Sequence, residues 1–210
     1  MNIASLRQEY MRSGLSESDV DRDPMKQFER WFEDALRANL PLANAMTLAT
    51  VGAAGKPSAR VVLLKGIEGG GFVFYTNYAS RKARELEAQG SACLVFLWSP
   101  LERQVRIDGT IERVSGADSD AYYKSRPLGA RLSAWASPQS ERVATRAVLE
   151  SAMADAKKRY ADNPPRPPHW GGYRVLPTEI EFWQGRADRL HDRLVYRNKG
   201  SSWTLERLAP

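Results

Sequence analysis

The stretch Ala59-Arg-Val-Val-Leu-Leu-Lys-Gly-Ile-Glu-Gly-Gly-Gly-Phe-Val-Phe-Tyr-Thr-Asn77 decides the fold class. Two runs rich in β-branched and aromatic residues, Ala59–Ile67 and Phe72–Asn77, flank the triple glycine Gly69–Gly71, an order that predicts a β-hairpin. Upstream, Ala45–Val51 reads as another strand and stops at Gly52-Ala-Ala-Gly55. Downstream, Ser80 reads as the N-cap of a short helix, Arg81–Gln89, closed by Gly90. Ala92–Trp98 and Gln104–Val114 follow as strands joined at Ser99-Pro100, and Gly172–Leu176, Glu179–Gln184, Arg189–Tyr196 and Ser202–Arg207 as shorter ones. Neighbouring strands with short turns and no regular βαβ alternation predict a mainly β, α+β protein: an antiparallel barrel with peripheral helices.

The first forty residues read as a helical N-terminal extension. Leu6 and Tyr10 are four apart, and Phe28, Trp31, Phe32, Ala35 and Leu36 form a stripe after the cap-like Asp23-Pro24. Further helices are expected near Ala117–Lys124, Leu128–Ala136 and Glu141–Tyr160, before the stiff connector Asn163-Pro-Pro-Arg-Pro-Pro168. A length of 210 residues fits a single domain, residues 1–210, ending in C-terminal strands over 171–210.

The 31 Lys and Arg against 25 Asp and Glu leave a net charge of +6, which favours anionic ligands. The basic residues are scattered and the aromatics sit in apolar runs, so a nucleic-acid-binding barrel is not indicated. A single cysteine excludes an internal disulfide, and Cys93, inside Ala92–Trp98, reads as a buried structural thiol. Two histidines and that cysteine have no metal-ligand spacing, so no metal is expected. The apolar runs fall short of the roughly 20 residues of a membrane helix, and no leader pattern is visible, so a cytoplasmic address is expected.

Chemistry concentrates in a few places. In Arg189-Leu-His-Asp-Arg193, a strand would put Arg189, His191 and Arg193 on one face and Leu190 and Asp192 on the other. Three neighbouring cations suit an anionic or electron-rich partner; the plain alternative is a solvated edge strand. Arg60 and Lys65 end one run, on opposite faces by strict parity and on the same side if a bulge intervenes. Tyr75-Thr76 leads into Ser80-Arg81-Lys82, where a hydroxyl, two cations and free backbone N–H groups meet at a helix N-terminus, a favourable phosphate site. Tyr122 and Arg126, four apart, suit a second phosphate or an exposed helix end. Gln104, the Gln139-Ser140 pair and Trp183 add amide, hydroxyl and indole groups. With no Ser-His-Asp set, paired-carboxylate site or Gly-x-Gly-x-x-Gly turn, any redox chemistry would come from a bound cofactor.

These motifs, with Phe74-Tyr-Thr-Asn77, Leu101-Glu-Arg-Gln104, Ser125-Arg-Pro127, Trp170-Gly-Gly172, Ile180-Glu-Phe-Trp-Gln-Gly185 and the terminal Arg-Leu-Ala-Pro210, resemble the pyridoxamine 5′-phosphate oxidase family over nearly the whole length. The resemblance implies an FMN-binding split β-barrel homodimer with FMN at the subunit interface. It implies oxidation of pyridoxamine 5′-phosphate or pyridoxine 5′-phosphate to pyridoxal 5′-phosphate, with hydride passing to the flavin and dioxygen reoxidising it to give hydrogen peroxide. Implied FMN contacts are Arg60, Val61, Val62, Leu63, Leu64, Lys65, Tyr75, Thr76, Arg81, Lys82, Gln104, Gln139, Ser140, Trp183 and Arg193. Implied substrate contacts are Lys65, Tyr122 and Arg126 on the phosphate, and Arg189, Leu190 and His191 at the pyridine end, with Arg189 and His191 as the catalytic pair. Leu6-Arg7-Gln-Glu-Tyr10 is similar to the family's segment that covers the substrate, which adds Arg7 and Tyr10. In one departure, Ala130 stands where the family usually has a serine that donates to the phosphate. A non-catalytic flavin-binding split barrel would share the FMN half and lack the C-terminal trio with Tyr122 and Arg126.

Overall fold

Asp23 starts the first helix: its carboxylate accepts from the Met25 N–H at 2.9 Å and Pro24 fills the first turn, giving α1, Pro24–Arg37. The stripe faces the sheet, with Phe28 edge-on to Phe72 and Phe96 at 4.8 and 5.0 Å and Trp31 edge-on to Phe182 at 5.2 Å. Leu36, expected in the stripe, instead faces solvent. The structure, a computed structural model, describes residues 14–210, so the readings of Leu6–Tyr10, including the Arg7 and Tyr10 contacts, lie outside the described residues.

Among the described residues nine strands form one antiparallel sheet: β1 (Ala45–Val51), β2 (Pro57–Leu63), β3 (Gly66–Glu68), β4 (Gly71–Asn77), β5 (Ser91–Trp98), β6 (Arg103–Arg113), β7 (Trp170–Gln184), β8 (Asp192–Asn198) and β9 (Trp203–Leu208). The order is β2-β1-β5-β6-β7-β4-β3, with β8 and β9 branching from β7. Helices α2 (Arg81–Gln89), α3 (Gly116–Ser125), α4 (Leu128–Ala136) and α5 (Arg146–Tyr160) complete the element order. None of the described helices is long and apolar enough to cross a membrane.

The branch at β7 curls the sheet into a split barrel. Its first half pairs with β4, Tyr173 opposite Phe74, and its second half with β8, Phe182 opposite Leu194, while β6 follows the other edge. The change of partner falls around Pro177, which has no N–H to donate, and the β6 register shifts there between Asp108 and Gly109. A Cβ on Gly109 would come within 2.3 Å of the Leu176 carbonyl oxygen, so the close approach needs a glycine. The two strands expected at Gly172–Leu176 and Glu179–Gln184 are therefore one bent strand.

The long strand expected over Ala59–Ile67 is divided instead. After Leu63 the Leu64 N–H donates to Asn44 and the Lys65 N–H to Val73, each at 2.8 Å, so the chain leaves one neighbour for another. The hairpin then closes through Gly69 and Gly70, at φ 57° and 75°, as a two-residue turn of positive φ requires. α5 starts at Arg146, later than the expected Glu141, after Thr145, which is extended at φ −149° and ψ 166° and stands as the cap. Cys93 is half-buried rather than buried; burial, with Asp108 beside it, pushes its thiol up to about 12, so it is no ready nucleophile.

Candidate functional site

Where β2 ends, β4 ends and three helices converge, a cavity of about 820 Å³ opens. Its walls are Arg60, Val61, Val62, Leu63 and Lys65 from β2 and its exit, Tyr75, Thr76 and Asn77 from β4, and Lys82 from α2. Tyr122 and Arg126 from the end of α3, Ser133, Ser137 and Gln139 from α4 and beyond, and Trp170 from β7 close it. The break after Leu63 is what lets Arg60 and Lys65 line one space despite their odd spacing. Leu64 is packed in the core instead of the lining, and Arg81 and Ser140 lie beside the cavity, joined by the Arg81 N–H donating to Ser140 Oγ at 3.1 Å.

At the α2 end the chemistry is cationic. Ser80 caps the helix, accepting from the Ala83 N–H, and Gly90 closes it at φ 68°. The Lys82 ammonium donates to Gln139 Oε1 at 2.9 Å and Thr76 Oγ1 at 3.2 Å, all neutral acceptors. Burial, and then the Arg60 charge, lower its pKa; an incoming anion would relieve both effects. Arg60 and Arg81 converge on Glu85, a buried carboxylate of α2.

The other end is aromatic and cationic. Tyr75, Tyr122 and Trp170 form a cluster of near-parallel rings, with Tyr75 4.0 Å from Tyr122 and 5.5 Å from Trp170 and the last two 6.2 Å apart; burial pushes the Tyr75 phenol up to about 12, keeping it a neutral donor. Arg126 sits 4.6 Å over the Trp170 ring, with Nη1 buried and without a hydrogen-bond partner among the described residues. Burying a guanidinium nitrogen without a partner is costly, and Arg126, which lines the cavity, has no carboxylate paired with it among the described residues. Ala130 is absent from this lining, while Ser133, one turn on, is present and donates to the Ala130 carbonyl at 3.0 Å.

The remaining predicted residues form a second patch on the outer face of the sheet. Gln104, Trp183 and Arg193 are cross-strand partners in a row over β6, β7 and β8. Arg193 is held by Glu181 in a two-pronged pair, 2.7 and 3.1 Å, with Nη1 donating to the Ala209 carbonyl at 3.0 Å. Burial would raise the Glu181 pKa, but Arg193 and then Arg106 hold it below the usual carboxylate range.

The expected strand at Arg189 is corrected here. Asp188 and Arg189 have φ of 54° and 61° in a short 3-10 turn, and β8 starts only at Asp192, so Arg189, His191 and Arg193 do not alternate along one strand. Arg189 and Leu190 are exposed. His191 turns back: its ring lies 4.6 Å from Trp183, and its Nδ1 accepts from the Arg186 N–H at 3.1 Å, which places a neutral ring's proton on Nε2. None of this patch lines the cavity of its own chain. Exposed Leu97, the β5 neighbour of Gln104, shares this outer face, and exposed Val61, on the same side of the sheet at β2, also lines the cavity.

The sequence reading missed Glu85, Trp170 and Ser133. Trp170 stood inside a quoted motif, and Glu85 lies four residues after Arg81 on the same helical face, a pairing signal visible in the sequence. For Ser133 no signal distinguishes it from any exposed helical serine.

A solved structure of a "pyridoxamine 5′-phosphate oxidase-related, FMN binding protein" from Nostoc punctiforme covers 91% of this chain and 100% of its own, with a TM-score of 0.72 at 21% identity. That likeness defines the class: the split-barrel fold of FMN-binding proteins. PhzG from Burkholderia lata, solved with tetrahydrophenazine-1-carboxylic acid, is 32% identical with a TM-score of 0.87, covering 93% of this chain and 98% of its own. Residues 32–160 match the family described as pyridoxamine 5′-phosphate oxidase, and residues 170–210 the pyridoxine 5′-phosphate oxidase C-terminal dimerisation region. Curated relatives called pyridoxine/pyridoxamine 5′-phosphate oxidase include those of Cupriavidus metallidurans, 59% identical over 209 residues, and Thermosynechococcus vestitus, 60% over 208, each covering 99% of both chains. The chain belongs to the pyridoxamine 5′-phosphate oxidase family of oxidoreductases.

Proposed function

We propose that this chain oxidises pyridoxamine 5′-phosphate and pyridoxine 5′-phosphate to pyridoxal 5′-phosphate, using FMN and dioxygen. The alcohol loses a hydride and a proton to give the aldehyde; the amine gives an imine that water hydrolyses, releasing ammonia. Dioxygen takes up the two electrons and two protons as hydrogen peroxide. Bound FMN would supply the hydride acceptor; this chain's residues bind, orient and shield.

The observation that carries the reading is a cavity lined both by Arg126 and, at its α2 end, by Lys82, neither paired with a carboxylate among the described residues. The two cationic ends provide two separate anion handles, as expected where two phosphorylated reactants are held together. A volume of about 820 Å³ is within the usual range for cofactor pockets, and its donor set suits a phosphorylated heterocycle. FMN would be held by Arg60, Tyr75, Thr76, Arg81, Lys82, Gln139 and Ser140, with the β2 stretch along its ring; substrate phosphate would meet Lys65, Tyr122 and Arg126.

We further propose a homodimer of one-domain chains in which the outer face of a second copy closes the cavity. Its C-terminal strands would bring Gln104, Trp183 and Arg193 to the flavin and Arg189 and His191 to the substrate ring. Exposed Val61 and Leu97 on that face, and the match to a dimerisation region, support this arrangement. Arg189, a permanent cation, serves as an electrostatic and orienting group.

The purified, yellow holoenzyme tests the reading. Its flavin absorbance should bleach anaerobically on adding pyridoxine 5′-phosphate and return with air. A spectrum that pyridoxine 5′-phosphate leaves unchanged, but a reduced phenazine carboxylate bleaches, would move the assignment to the activity implied by the PhzG likeness.

A further inference from the structure

Glu85 lies on the second turn of α2, buried, facing the underside of the cavity wall rather than its interior. Four side chains donate to it: Thr50 Oγ1 at 2.5 Å, Ser58 Oγ at 2.6 Å and Arg60 Nη2 at 3.3 Å, all to Oε2, and Arg81 Nε at 2.7 Å to Oε1. The same two hydroxyls also accept from Arg60, Thr50 from Nη1 at 2.5 Å and Ser58 from Nη2 at 2.6 Å. A hydroxyl has one proton, so committing it to the carboxylate turns the lone pairs of both toward the guanidinium. With Nη1 also reaching the Leu48 carbonyl at 3.1 Å, both terminal nitrogens of Arg60 are tied down and Nε–H stays uncommitted among the described residues. One carboxylate oxygen thereby fixes the plane and rotation of an arginine on the cavity wall.

We propose that Glu85 is a positioning residue that aims Arg60 and Arg81 at the phosphate of FMN, an inference that rests on the FMN reading above. The charge balance suits that ligand. Arg60, Arg81 and Lys82 against Glu85 leave a local +2, matching a phosphate monoester of about −1.5 to −2. A bare cluster of three cations would bind any anion, but its long side chains would have to be ordered at the moment of binding. Glu85 orders them beforehand. Its opposing effect, repulsion of the phosphate, is weakened by distance: about 7 Å of helix separates Ser80 from Glu85, and the arginines lie between.

The test titrates FMN and riboflavin, by quenching of flavin fluorescence, into the full-length chain stripped of flavin. Glu85→Ala should weaken FMN at least tenfold while riboflavin, which lacks the phosphate, changes less than threefold. Glu85→Gln, which keeps an acceptor for Thr50, Ser58 and Arg60, should stay within threefold of the parent for FMN. Ser58→Ala gives an independent reading should Glu85→Ala fold poorly, with a loss confined to FMN and smaller than that of Glu85→Ala. Equal losses for both flavins would reduce Glu85 to a structural role, and tighter FMN binding by Glu85→Ala would make it a competitor; either overturns the proposal. A parent chain that binds no FMN would sink the functional reading itself, a distinct result.

Discussion

The cavity and the outer face of the sheet are both rich in arginine, yet the arginines on the strands of the outer face are already paired with carboxylates, while the cavity cations Lys82 and Arg126 are not. On the outer face Arg106 meets Asp108, Glu179 and Glu181, Arg193 meets Glu181, and Arg197 meets Glu179 and Glu206. That lattice is locally neutralised, so apart from exposed Arg189 beside it, what it offers a ligand or a second copy is shape, indole, amide and imidazole. In the cavity Lys82 has only neutral acceptors and Arg126 keeps a buried nitrogen unpaired. Counting cations does not locate an anion site; the partners each cation already has do.

Removing the uncompensated charge should give the largest effect. Arg126→Ala is expected to raise the Michaelis constant for pyridoxine 5′-phosphate by ~10–150-fold, the equivalent of about 1.5–3 kcal/mol for hydrogen bonds to a charged group. FMN affinity should be unchanged, and steady-state kinetics with a flavin titration separates the two. If FMN were lost in step with substrate, the division of the cavity into two anion ends would be wrong.

On the neutralised face the same kind of change should act on stability instead. Glu181→Ala leaves Arg106 and Arg193 without their shared buried carboxylate and should destabilise by about 3 kcal/mol, read as a lower denaturant midpoint. Acid should reproduce part of this. Glu181 is held below its ordinary pKa, and Glu85 falls from 4.5 to about 2: burial alone would raise it, and hydrogen bonds from Ser58, Thr50 and Arg81 reverse that. A depressed folded-state pKa contributes stability that is complete above the unfolded value of 4.5 and is lost as pH falls through the folded value. The denaturant midpoint should therefore be flat from pH 7 to about 5 and decline toward pH 2, and Glu85→Gln should flatten that decline.

Arg189→Met should lower turnover at least tenfold while FMN stays bound. Because Arg189 lies off the cavity of its own chain, mixing this variant with Arg126→Ala should regain activity as mixed dimers form with one intact site. No recovery on mixing would place both residues in the same chain's site. The smallest effect is expected from Ala130→Ser, which returns a hydroxyl to α4. An added neutral hydrogen bond of about 0.5–1.5 kcal/mol should lower the Michaelis constant roughly three- to tenfold. An unchanged value would mean that the phosphate does not reach that turn of the helix.

Much of this was readable in one dimension. Asp23-Pro24 opens α1, Ser80 and Gly90 bound α2, the glycines after Glu68 turn the hairpin, and β1 has the limits its alternation predicts. Such signals depend on caps, turn dihedrals and period, all properties of neighbouring residues. The family motifs likewise named the residues that line the cavity, from Arg60 and Lys65 to Tyr122 and Arg126.

Tertiary structure alone decided which of those residues share a space. The exchange of hydrogen-bond partners at Leu64 and Lys65 brought Arg60 and Lys65 to one wall, and the bend at Pro177 merged two expected strands into β7. The left-handed Asp188 and Arg189 took the catalytic candidates off the strand that their alternation suggested. The burial of Glu85 beneath Arg60 was equally invisible in the order of residues. Each outcome depends on bonds between segments distant along the chain, and local period carries no information about a partner that folding has yet to supply.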